Sequence, residues 1–490
     1  MRDALPTRLA APTRVVAPLL VALALAGCAS LAPDAATRPT LVASELPTLA
    51  PSATATASAL AIERWWTTFS DPALERLIDE ALERNLDLVA AAARVREARA
   101  RLDEVHGAQL PRVDLQAQGA RFRQSTDGLP ANVGALGSSH SVSLVGQYEL
   151  DLWGRLASGS AATRERLVAQ EWARATIAWS LSAQLAEAHF TLRAVQRQLA
   201  ISEAVRASRA KTLELRRREQ AAGIGSEFDL RRAEAELAST DATAVALARQ
   251  RVELEATLAL LSGRPVAEIT GADAPRQPLD PAEPFTARLP QGDAAAMLLA
   301  RPDVREAEAG LAAARFDIGA ARAATLPAVS LSGAVGSDVR SLGSLFSASG
   351  FVWSLAASLT QSVFDGGQLR ARVHQADARA DAAYADYRKA VLTAVVELRE
   401  AYADLDLSEQ ARRADHDRVV ALERARRLAA LGVANGSLTA LDLLDAERNA
   451  FQAQLDEAAS ARDQRIAQVA VFKALGGGTP APLTLASLPH

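Results

Sequence analysis

One short motif occurs twice in this chain, and each copy interrupts a long helix-forming stretch. The copies read GIGSEFDLRRAE at 223–234 and GSLTALDLLDAE at 436–447. Their shared positions are Gly223, Ser226, Asp229, Ala233 and Glu234 in the first copy and Gly436, Thr439, Asp442, Ala446 and Glu447 in the second. Glycine can adopt the left-handed conformation that ends a helix, and Ser or Thr can cap the helix that follows. The motif therefore predicts two helical hairpins with these turns as their tips.

The duplication extends well beyond the motif. Residues 85–115 align with 301–331, and LDLWGRL at 150–156 aligns with VFDGGQL at 363–369. Such internal similarity has to be found before a fold is assigned, because each repeat is one structural unit. We divide the chain into a lipoprotein signal peptide (1–27), a lipidated N-terminal tether (28–60), a first repeat (61–262), a Pro-rich, non-helical connector (263–292), a second repeat (293–475) and a C-terminal tail (476–490).

Each repeat is predicted to contain a helix, two strands and a pair of helices. A Leu-Pro step at 110–111 and at 326–327 ends the first helix, because proline cannot continue its hydrogen-bond ladder. Polar loops are expected at 125–139 and 336–350. Four segments alternate apolar with polar residues, and their apolar positions are Val113, Leu115, Ala117 and Gly119; Val142, Leu144, Tyr148, Leu150 and Leu152; Val329, Leu331 and Val335; and Phe351, Trp353, Leu355, Leu359 and Val363.

Alternation over this length is typical of strands in outer-membrane barrels, although a half-buried sheet of a soluble protein gives the same pattern in any one segment. Four strands are too few for a solute channel, because even eight leave an interior that side chains fill. Lipid does not tolerate an open sheet edge, whose backbone groups would lack partners. The chain is therefore expected to assemble with copies of itself, three of which supply about twelve strands.

The helical runs after the strands are unusually long, at about 156–222 and 369–431. With a rise of about 1.5 Å per residue, each extends on the order of 100 Å, far more than a bilayer needs. Charged stretches such as LRRREQ at 215–220 and RRADHDR at 412–418 cannot enter hydrocarbon at tolerable cost. These runs are expected to pack as helices in an aqueous compartment. The predicted fold class is mainly α with a transmembrane β-barrel.

The N-terminus carries an export signal. Three arginines precede an apolar run at 15–26, which is too short to span a bilayer and has the length of a signal peptide. The run ends in LAGCAS at 25–30, whose small residues before Cys28 match a bacterial lipobox. We expect Cys28 to carry diacylglycerol and an N-acyl chain such as palmitate; the alternative is one buried cysteine after an ordinary secretory signal. Ala29 is typical of lipoproteins sent to the outer membrane.

Composition argues against several functional classes. The net charge is −4 with both signs mixed, which gives no support for nucleic-acid binding. The six histidines are scattered, and no metal-ligand spacing, phosphate loop or nucleophile elbow is found in the sequence. We therefore expect neither an enzyme nor a cofactor other than the lipid, and an envelope hydrolase is the least favoured alternative.

With these elements placed, the chain resembles the TolC/OprM-like outer-membrane efflux factors, and in particular their NodT-type lipoprotein branch. The resemblance covers nearly all of residues 60–475. It rests on both tips and on WWTTFSDPALERLIDEALERNLDL (65–88), YELDLWGRL (148–156), RPDVREAEAGLAAARFDIGAARAATLPAVSL (301–331) and VFDGGQLRA (363–371). The resemblance implies a homotrimer in which a twelve-stranded β-barrel in the outer membrane joins a periplasmic α-helical barrel. An equatorial belt would come from the connector and the C-terminal tail.

The same resemblance implies a passive exit duct of a tripartite multidrug efflux system. A periplasmic adaptor would dock on the tips and link them to an inner-membrane pump, most simply of the RND type. The implied docking residues are Gly223, Ser226 and Asp229 in the first tip and Gly436, Leu438 and Thr439 in the second. A periplasmic adaptor lipoprotein is the alternative from another class. A metal-ion version of the channel is a further alternative, disfavoured by the presence of only two methionines, Met1 and Met297.

The resemblance also implies a periplasmic gate formed by Asp442 and Asp445. Like charges gathered at a pore axis should raise some of their pKa values. The alternative is that these aspartates only favour a helix start, where Asp is common. Some members brace the closed tip with a Tyr and an Arg near the second glycine, but Val433 and Leu438 occupy those positions here. We therefore expect apolar contact around Leu438 and Leu441 to replace that brace.

Overall fold

The computed structural model describes residues 64–123, 136–270, 278–281 and 294–476. Cys28, the signal peptide, the tether and residues 477–490 lie outside these ranges. The helices are α1 (Pro72–Arg84), α2 (Leu86–Gly107), α3 (Arg155–Ala221), α4 (Glu227–Ser262), α5 (Val266–Thr270), α6 (Ala294–Ala300), α7 (Pro302–Ala323), α8 (Gln368–Ala434) and α9 (Ala440–Ala474). The strands are β1 (Arg112–Arg123), β2 (Leu136–Leu150), β3 (Ala328–Val339) and β4 (Phe351–Thr360). The predicted order of helix, two strands and a long helical pair is confirmed in both repeats.

The four strands form one antiparallel sheet in the order β1-β2-β3-β4. Directly paired residues place Leu115, Leu144 and Val335 in one row across the sheet, and Trp353 completes it. This row lies on the face formed by the predicted apolar positions. Leu115 is 70% exposed and Trp353 is 72% exposed. The sheet therefore presents an apolar face that one chain does not cover, as the alternation pattern predicts.

Several predicted boundaries are wrong. Residues 136–139 were expected in a loop, but they belong to β2 and pair with β1. Strand β3 extends to Val339, four residues into the other expected loop, because its backbone continues to pair with β2. Strand β4 ends at Thr360, so Val363 lies beyond it. In the connector, the short helix α5 replaces the expected non-helical chain, since no proline occurs between 266 and 270.

The first helix of each repeat is also divided. In the first repeat Asn85 separates α1 from α2, because its side-chain oxygen accepts hydrogen bonds from the N–H groups of Asp87 and Leu88 at 2.9 and 3.1 Å. In the second repeat α7 begins at Pro302, directly after Arg301. Among the described residues, no helix is both long enough and apolar enough to cross a membrane.

Contacts divide the chain into two compact units, and each has its own packing. One unit contains residues 96–169 and 307–387, and includes the sheet. The other contains the described parts of 39–95, 170–306 and 388–490, and therefore holds both hairpin tips. Its aromatic core includes Trp65, which is 1% exposed and stacks on Phe472 with ring centroids 5.5 Å apart.

A buried ionic cluster lies at the start of α1. Asp71 caps this helix, and its carboxylate accepts hydrogen bonds from the N–H groups of Ala73 and Leu74 at 3.0 and 3.1 Å. The other carboxylate oxygen lies 2.8 Å from Nε2 of His189 and 2.9 Å from Nη1 of Arg193. Burial alone would raise the pKa of Asp71, but these hydrogen bonds and charges lower it well below its usual range. The cluster holds the start of α1 against α3.

Candidate functional site at the two hairpin tips

The first tip joins α3 to α4. Gly223 has a φ of +75°, in the left-handed region, and the N–H groups of Ile224 and Gly225 both donate to the carbonyl of Glu219 at 3.0 Å. The hydroxyl of Ser226 then accepts a hydrogen bond from the second N–H of α4 at 3.2 Å. The turn has the left-handed glycine and the serine cap that the repeated motif predicts.

The second tip joins α8 to α9 with the same design. Gly436 has a φ of +74°. The N–H groups of Ser437 and Leu438 donate to the carbonyl of Gly432 at 2.9 and 3.2 Å. A Cβ added at Gly432 would come within 2.7 Å of the Leu438 side chain, so this glycine allows the leucine to lie against the last turn of α8. Leu438 therefore packs within its own hairpin and is 43% exposed.

Asp442 takes part in the cap of α9. Its Oδ2 accepts hydrogen bonds from the N–H and from the hydroxyl of Thr439, at 2.8 and 2.6 Å, while the Thr439 oxygen accepts one from the Asp442 N–H at 3.2 Å. These hydrogen bonds hold the pKa of Asp442 below its ordinary value. Within a single chain the shift is thus opposite to the rise expected at a pore axis. The role of Asp442 as a gate residue stays a prediction.

Asp445, the other predicted gate residue, lies one turn further along α9. Its side chain is 55% exposed, and its carboxylate is 3.8 Å from Arg232 of α4 and 3.9 Å from Arg448 of α9. These are long contacts for ion pairs and leave the charge mostly in solvent. Asp445 therefore remains available to an ion or to another copy of the chain. The nearest positive charge on the other hairpin is that of Arg232.

A cleft of about 380 Å³ separates the two tips. Its walls combine apolar and charged side chains from both hairpins, namely Arg209, Thr212, Arg216, Phe228, Asp229, Arg232, Ala233 and Glu236 of the first and Val433, Thr439, Ala440, Leu441, Leu443, Leu444 and Glu447 of the second. Of the predicted site residues, Asp229 and Thr439 line this cleft. Val433 and Leu441 line it as well. The replacement of a polar brace by apolar contact around Leu438 and Leu441 stays a prediction.

Sequence reasoning missed a charged group in the wall of the cleft. Glu236 of α4 has a side chain that is 8% exposed and lies between two arginines. One carboxylate oxygen is 3.1 Å from Nη1 of Arg209 on α3, and the other forms an ion pair with Arg448 on α9. We call Arg209, Glu236 and Arg448 the Glu236 hub. The sequence offered one weak indication of these ion pairs, which is that Arg448 directly follows the repeated Ala-Glu pair. Charged residues on long helices are usually solvated, so this position alone does not predict a buried contact.

Glu447 lies beside the hub. Burial raises its pKa, while the positive charges of Arg426 and Arg209 act in the opposite direction. Arg209 and Glu447 line both the tip cleft and a neighbouring cavity of about 400 Å³. Within the described part of the chain, no group of three or more His, Cys, Asp or Glu side chains is placed to hold a metal ion.

Comparison with known proteins agrees with this architecture. The family model described as outer membrane efflux protein matches residues 77–264 and 295–477. The solvent efflux pump outer membrane protein SrpC of Pseudomonas putida is 34% identical over 411 residues, which cover 84% of this chain and 86% of that protein. Both tips lie within the family match, which covers each repeat except for its first residues, 61–76 and 293–294.

Solved structures give the same result. The crystal structure of a membrane protein from Pseudomonas aeruginosa is similar with a TM-score of 0.81 at 30% identity, covering 90% of this chain and 99% of that one. The open state of the MtrE outer membrane channel of Neisseria gonorrhoeae has a TM-score of 0.77 at 33% identity, with coverages of 87% and 94%. MtrE is an outer membrane channel, and not a periplasmic adaptor of the kind considered as an alternative. The chain belongs to the outer membrane efflux proteins, and it is the outer-membrane channel component of an efflux system.

Proposed function

We propose that the protein works as a homotrimeric exit duct, which passively conducts compounds delivered by an inner-membrane pump and a periplasmic adaptor. The observation that carries this proposal is the pairing of an uncovered four-stranded apolar sheet with two long helical hairpins in one chain. The outer strands β1 and β4 each pair on one side only, and lipid does not tolerate such edges. Pairing of β4 with β1 of the next copy would satisfy both edges. No step of this function requires covalent catalysis.

Mass measurement of the detergent-solubilised protein tests the assembly. We expect a particle with three times the mass of the processed chain, because three copies supply about twelve strands, enough for an open lumen. Native mass spectrometry distinguishes this from other stoichiometries. A stable monomer, or a dimer with a closed sheet, would contradict the proposed duct.

We further propose that Asp442 and Asp445 form the periplasmic gate of the duct. They lie three positions apart on α9, so they share a helical face, and three chains would bring six carboxylates together. Rings of aspartate favour cations over anions. Asp445 makes only long ion contacts, whereas Asp442 also caps its helix. An Asp445→Ala variant therefore isolates the gate role from the capping role.

Single-channel recording in planar bilayers tests the gate. We expect Asp445→Ala to weaken both cation selectivity and block by multivalent cations added at the periplasmic side. Asp463→Ala provides a matched control, because Asp463 is an exposed carboxylate of the same helix that pairs with its neighbour Arg462. Selectivity and block that are unchanged in Asp445→Ala and in the double variant with Asp442→Ala would place the gate elsewhere, with Asp229 as the next candidate.

Docking of the adaptor is proposed at the same tips. The exposed apolar side chains there include Ile224 and Phe228 in the first tip, which are 81% and 71% exposed. Together with Leu438 and the turn glycines they give an adaptor an apolar surface with backbone groups at its centre. An RND-type pump would supply the energy. Since the similar Pseudomonas putida protein is named for solvent efflux, we propose small organic compounds as the cargo.

Anchoring by lipid at Cys28 is a separate proposal. It is supported by the sequence LAGCAS after an apolar run, and Cys28 is the only cysteine of the chain. Metabolic labelling with radioactive palmitate should mark the wild-type protein and leave Cys28→Ser unlabelled. Equal labelling of both proteins would contradict the proposal. The barrel itself would still insert in the variant, so part of the transport activity is expected to remain.

A further inference from the structure

We propose that the apolar face of the sheet ends in a binding site for the phosphate groups of outer-leaflet glycolipid, formed by Arg121, Arg123 and His140. This inference rests on the proposed function, which places the sheet in the outer membrane. The strand ends that join α2 and α3 then point toward the periplasm. The three basic residues lie near the opposite ends of β1 and β2, and therefore at the outer side of the bilayer.

Backbone pairing places all three residues on the apolar face. Every residue of β1 pairs with one residue of β2, so no bulge interrupts the alternation of side chains. Since side chains alternate between the two faces of a strand, Arg121 and Arg123 share a face with Leu115. His140 pairs directly with Gly119, which belongs to the same alternating set. The basic residues thus continue the surface that is expected to contact lipid.

Charges of opposite sign lie on opposite faces of the sheet. The acidic residues of the four strands are Asp114, Glu149 and Asp338, and their positions in the register put all of them on the face away from the apolar one. Arg121 and Arg123 are exposed on the apolar face. Strand β4 has no charged residue, so its pairing with β1 of the next copy would bring no carboxylate to them. This segregation leaves a positive patch that an anionic group complements.

The depth of the patch fits the level of lipid headgroups. The apolar positions of β2 run from Leu150 back to Val142. Eight steps of about 3.4 Å give about 27 Å along the strand, or roughly 20 Å of bilayer depth at a tilt of about 40°. Phe351 lies in the same row as Val142, where an aromatic girdle is expected. His140 comes one row later and Arg121 two rows later, just beyond the apolar band.

The chemistry of these side chains suits phosphate. An arginine on the lipid face is costly at the bilayer midplane but nearly neutral at the interface, where it can meet headgroups. A guanidinium binds phosphate through two parallel N–H···O bonds, and the imidazole of His140 supplies a further donor. Arg121 and Arg123 are two residues apart on one face, about 7 Å along the strand. Lipid A, the phosphorylated disaccharide lipid of the outer leaflet, presents phosphates that both arginines can reach from one headgroup.

Binding of diphosphoryl lipid A to the purified full-length trimer tests the site. We expect the double variant Arg121→Gln/Arg123→Gln to bind about thirtyfold more weakly, roughly 2 kcal/mol, because each arginine near anionic lipid contributes a similar share. Arg121→Lys/Arg123→Lys should retain most of the affinity, since the charges remain. Arg112→Gln is the matched control, because Arg112 is on the same strand, faces the other way and pairs with Asp114. We expect this control to bind like the wild type.

Dephosphorylated lipid A separates phosphate recognition from acyl-chain contact, and it should bind equally to wild type and to the glutamine variant. Equal binding of diphosphoryl lipid A to both proteins would overturn the site, and so would an equal loss with the dephosphorylated lipid. Displacement of lipid A by millimolar inorganic phosphate would show a free-anion site and overturn the lipid assignment. A glutamine variant with altered particle mass and unchanged lipid binding would show a contact between trimers instead.

Trimer mass and conductance in planar bilayers are measured on the same samples. We expect the glutamine variant to form conducting trimers, because the substitutions lie outside the proposed gate and tips. A wild-type protein that forms no conducting trimer would contradict the proposed function. Conducting trimers that bind lipid A regardless of these charges would contradict only the lipid site, so the two failures are distinguishable.

Discussion

The carboxylate of Asp442 and the hydroxyl of Thr439 close the first turn of α9 from both sides, in a reciprocal capping box. Four N–H groups at the start of a helix lack intrahelical partners, and this arrangement satisfies two of the exposed ones. One of the two aspartates assigned to the gate is therefore also part of the tip's structure. Substitutions at Asp442 change the charge and the cap together, and the two effects have to be separated.

Thr439→Ala should lower the stability of the start of α9, at the second tip, by about 1 kcal/mol, which is the usual cost of losing a threonine cap. Hydrogen exchange of the α9 N-terminal peptide, measured by mass spectrometry at one pH, reports this local stability. We expect faster exchange there and unchanged exchange in α4. The serine cap of α4 provides the reciprocal control, because Ser226→Ala should affect only the first tip. Equal protection of α9 in wild type and Thr439→Ala would show that the capping box contributes nothing.

The cap should also depend on pH in a defined direction. The folded pKa of Asp442 is lowered from 3.8, so its contribution is fully present above that ordinary value and is lost as the pH falls through the lowered pKa. Asp442→Asn should therefore differ from the wild type at neutral pH and converge with it in acid. Thermal unfolding of both proteins across this range measures the convergence. A difference that stays constant down to strong acid would contradict the assignment.

Gly436→Ala should destabilise the second tip by roughly 1 kcal/mol, because left-handed backbone is strained for residues with a Cβ. Gly436 has a φ of +74° and no neighbour within 4 Å of an added Cβ, so backbone strain is the only cost. Gly310→Ala is a matched control, since that glycine lies within α7, also has open space, and does not have a positive φ. We expect the control to stabilise its helix slightly. Calorimetry of the two variants distinguishes the effects.

Asp71→Asn should cost about 3 kcal/mol of folding free energy, because it removes the carboxylate charge that pairs with the buried guanidinium of Arg193. Its folded pKa is lowered, so the contribution is present above the ordinary aspartate value and is lost in acid. Chemical denaturation at neutral pH measures the loss. Asp79→Asn is the control, because Asp79 pairs with Arg64 on the surface, where both side chains are about half exposed. Equal stabilities of the two variants would contradict the role assigned to the cluster.

Leu355→Arg should prevent or weaken insertion into the outer membrane by about 2–4 kcal/mol if this residue faces the bilayer midplane. Leu355 is 68% exposed and belongs to the apolar face of the sheet. Ser354→Arg places the same charge one residue away on the opposite face, where the lumen is expected, and should be tolerated. Recovery of heat-resistant trimers from the membrane fraction compares the two. Equal recovery would show that the apolar face does not contact lipid.

Local sequence rules were sufficient for the elements whose cause is local. Gly223, Gly436, Ser226 and Thr439 have the predicted conformations because φ preference and capping depend on a few neighbouring residues. The order of elements followed from the repeat, because two similar segments face the same physical constraints. Strand limits were less predictable. Residues 136–139 read as loop, yet they continue β2 because the backbone of β1 is available as a partner.

Only the tertiary structure decided how the charges are used. The sequence contains 54 basic and 58 acidic side chains, and nothing local distinguishes Glu236 from the acidic residues that remain in solvent. The side chain of Glu236 is 8% exposed and lies between two arginines. Arg209 on α3 precedes it by 27 residues and Arg448 on α9 follows it by 212 residues, so only the packing of these helices brings the three together. The sequence by itself determined where the helices turn, since a turn is set by neighbours along the chain. The structure determined which charged residues meet, because contacts between distant helices depend on how the helices pack.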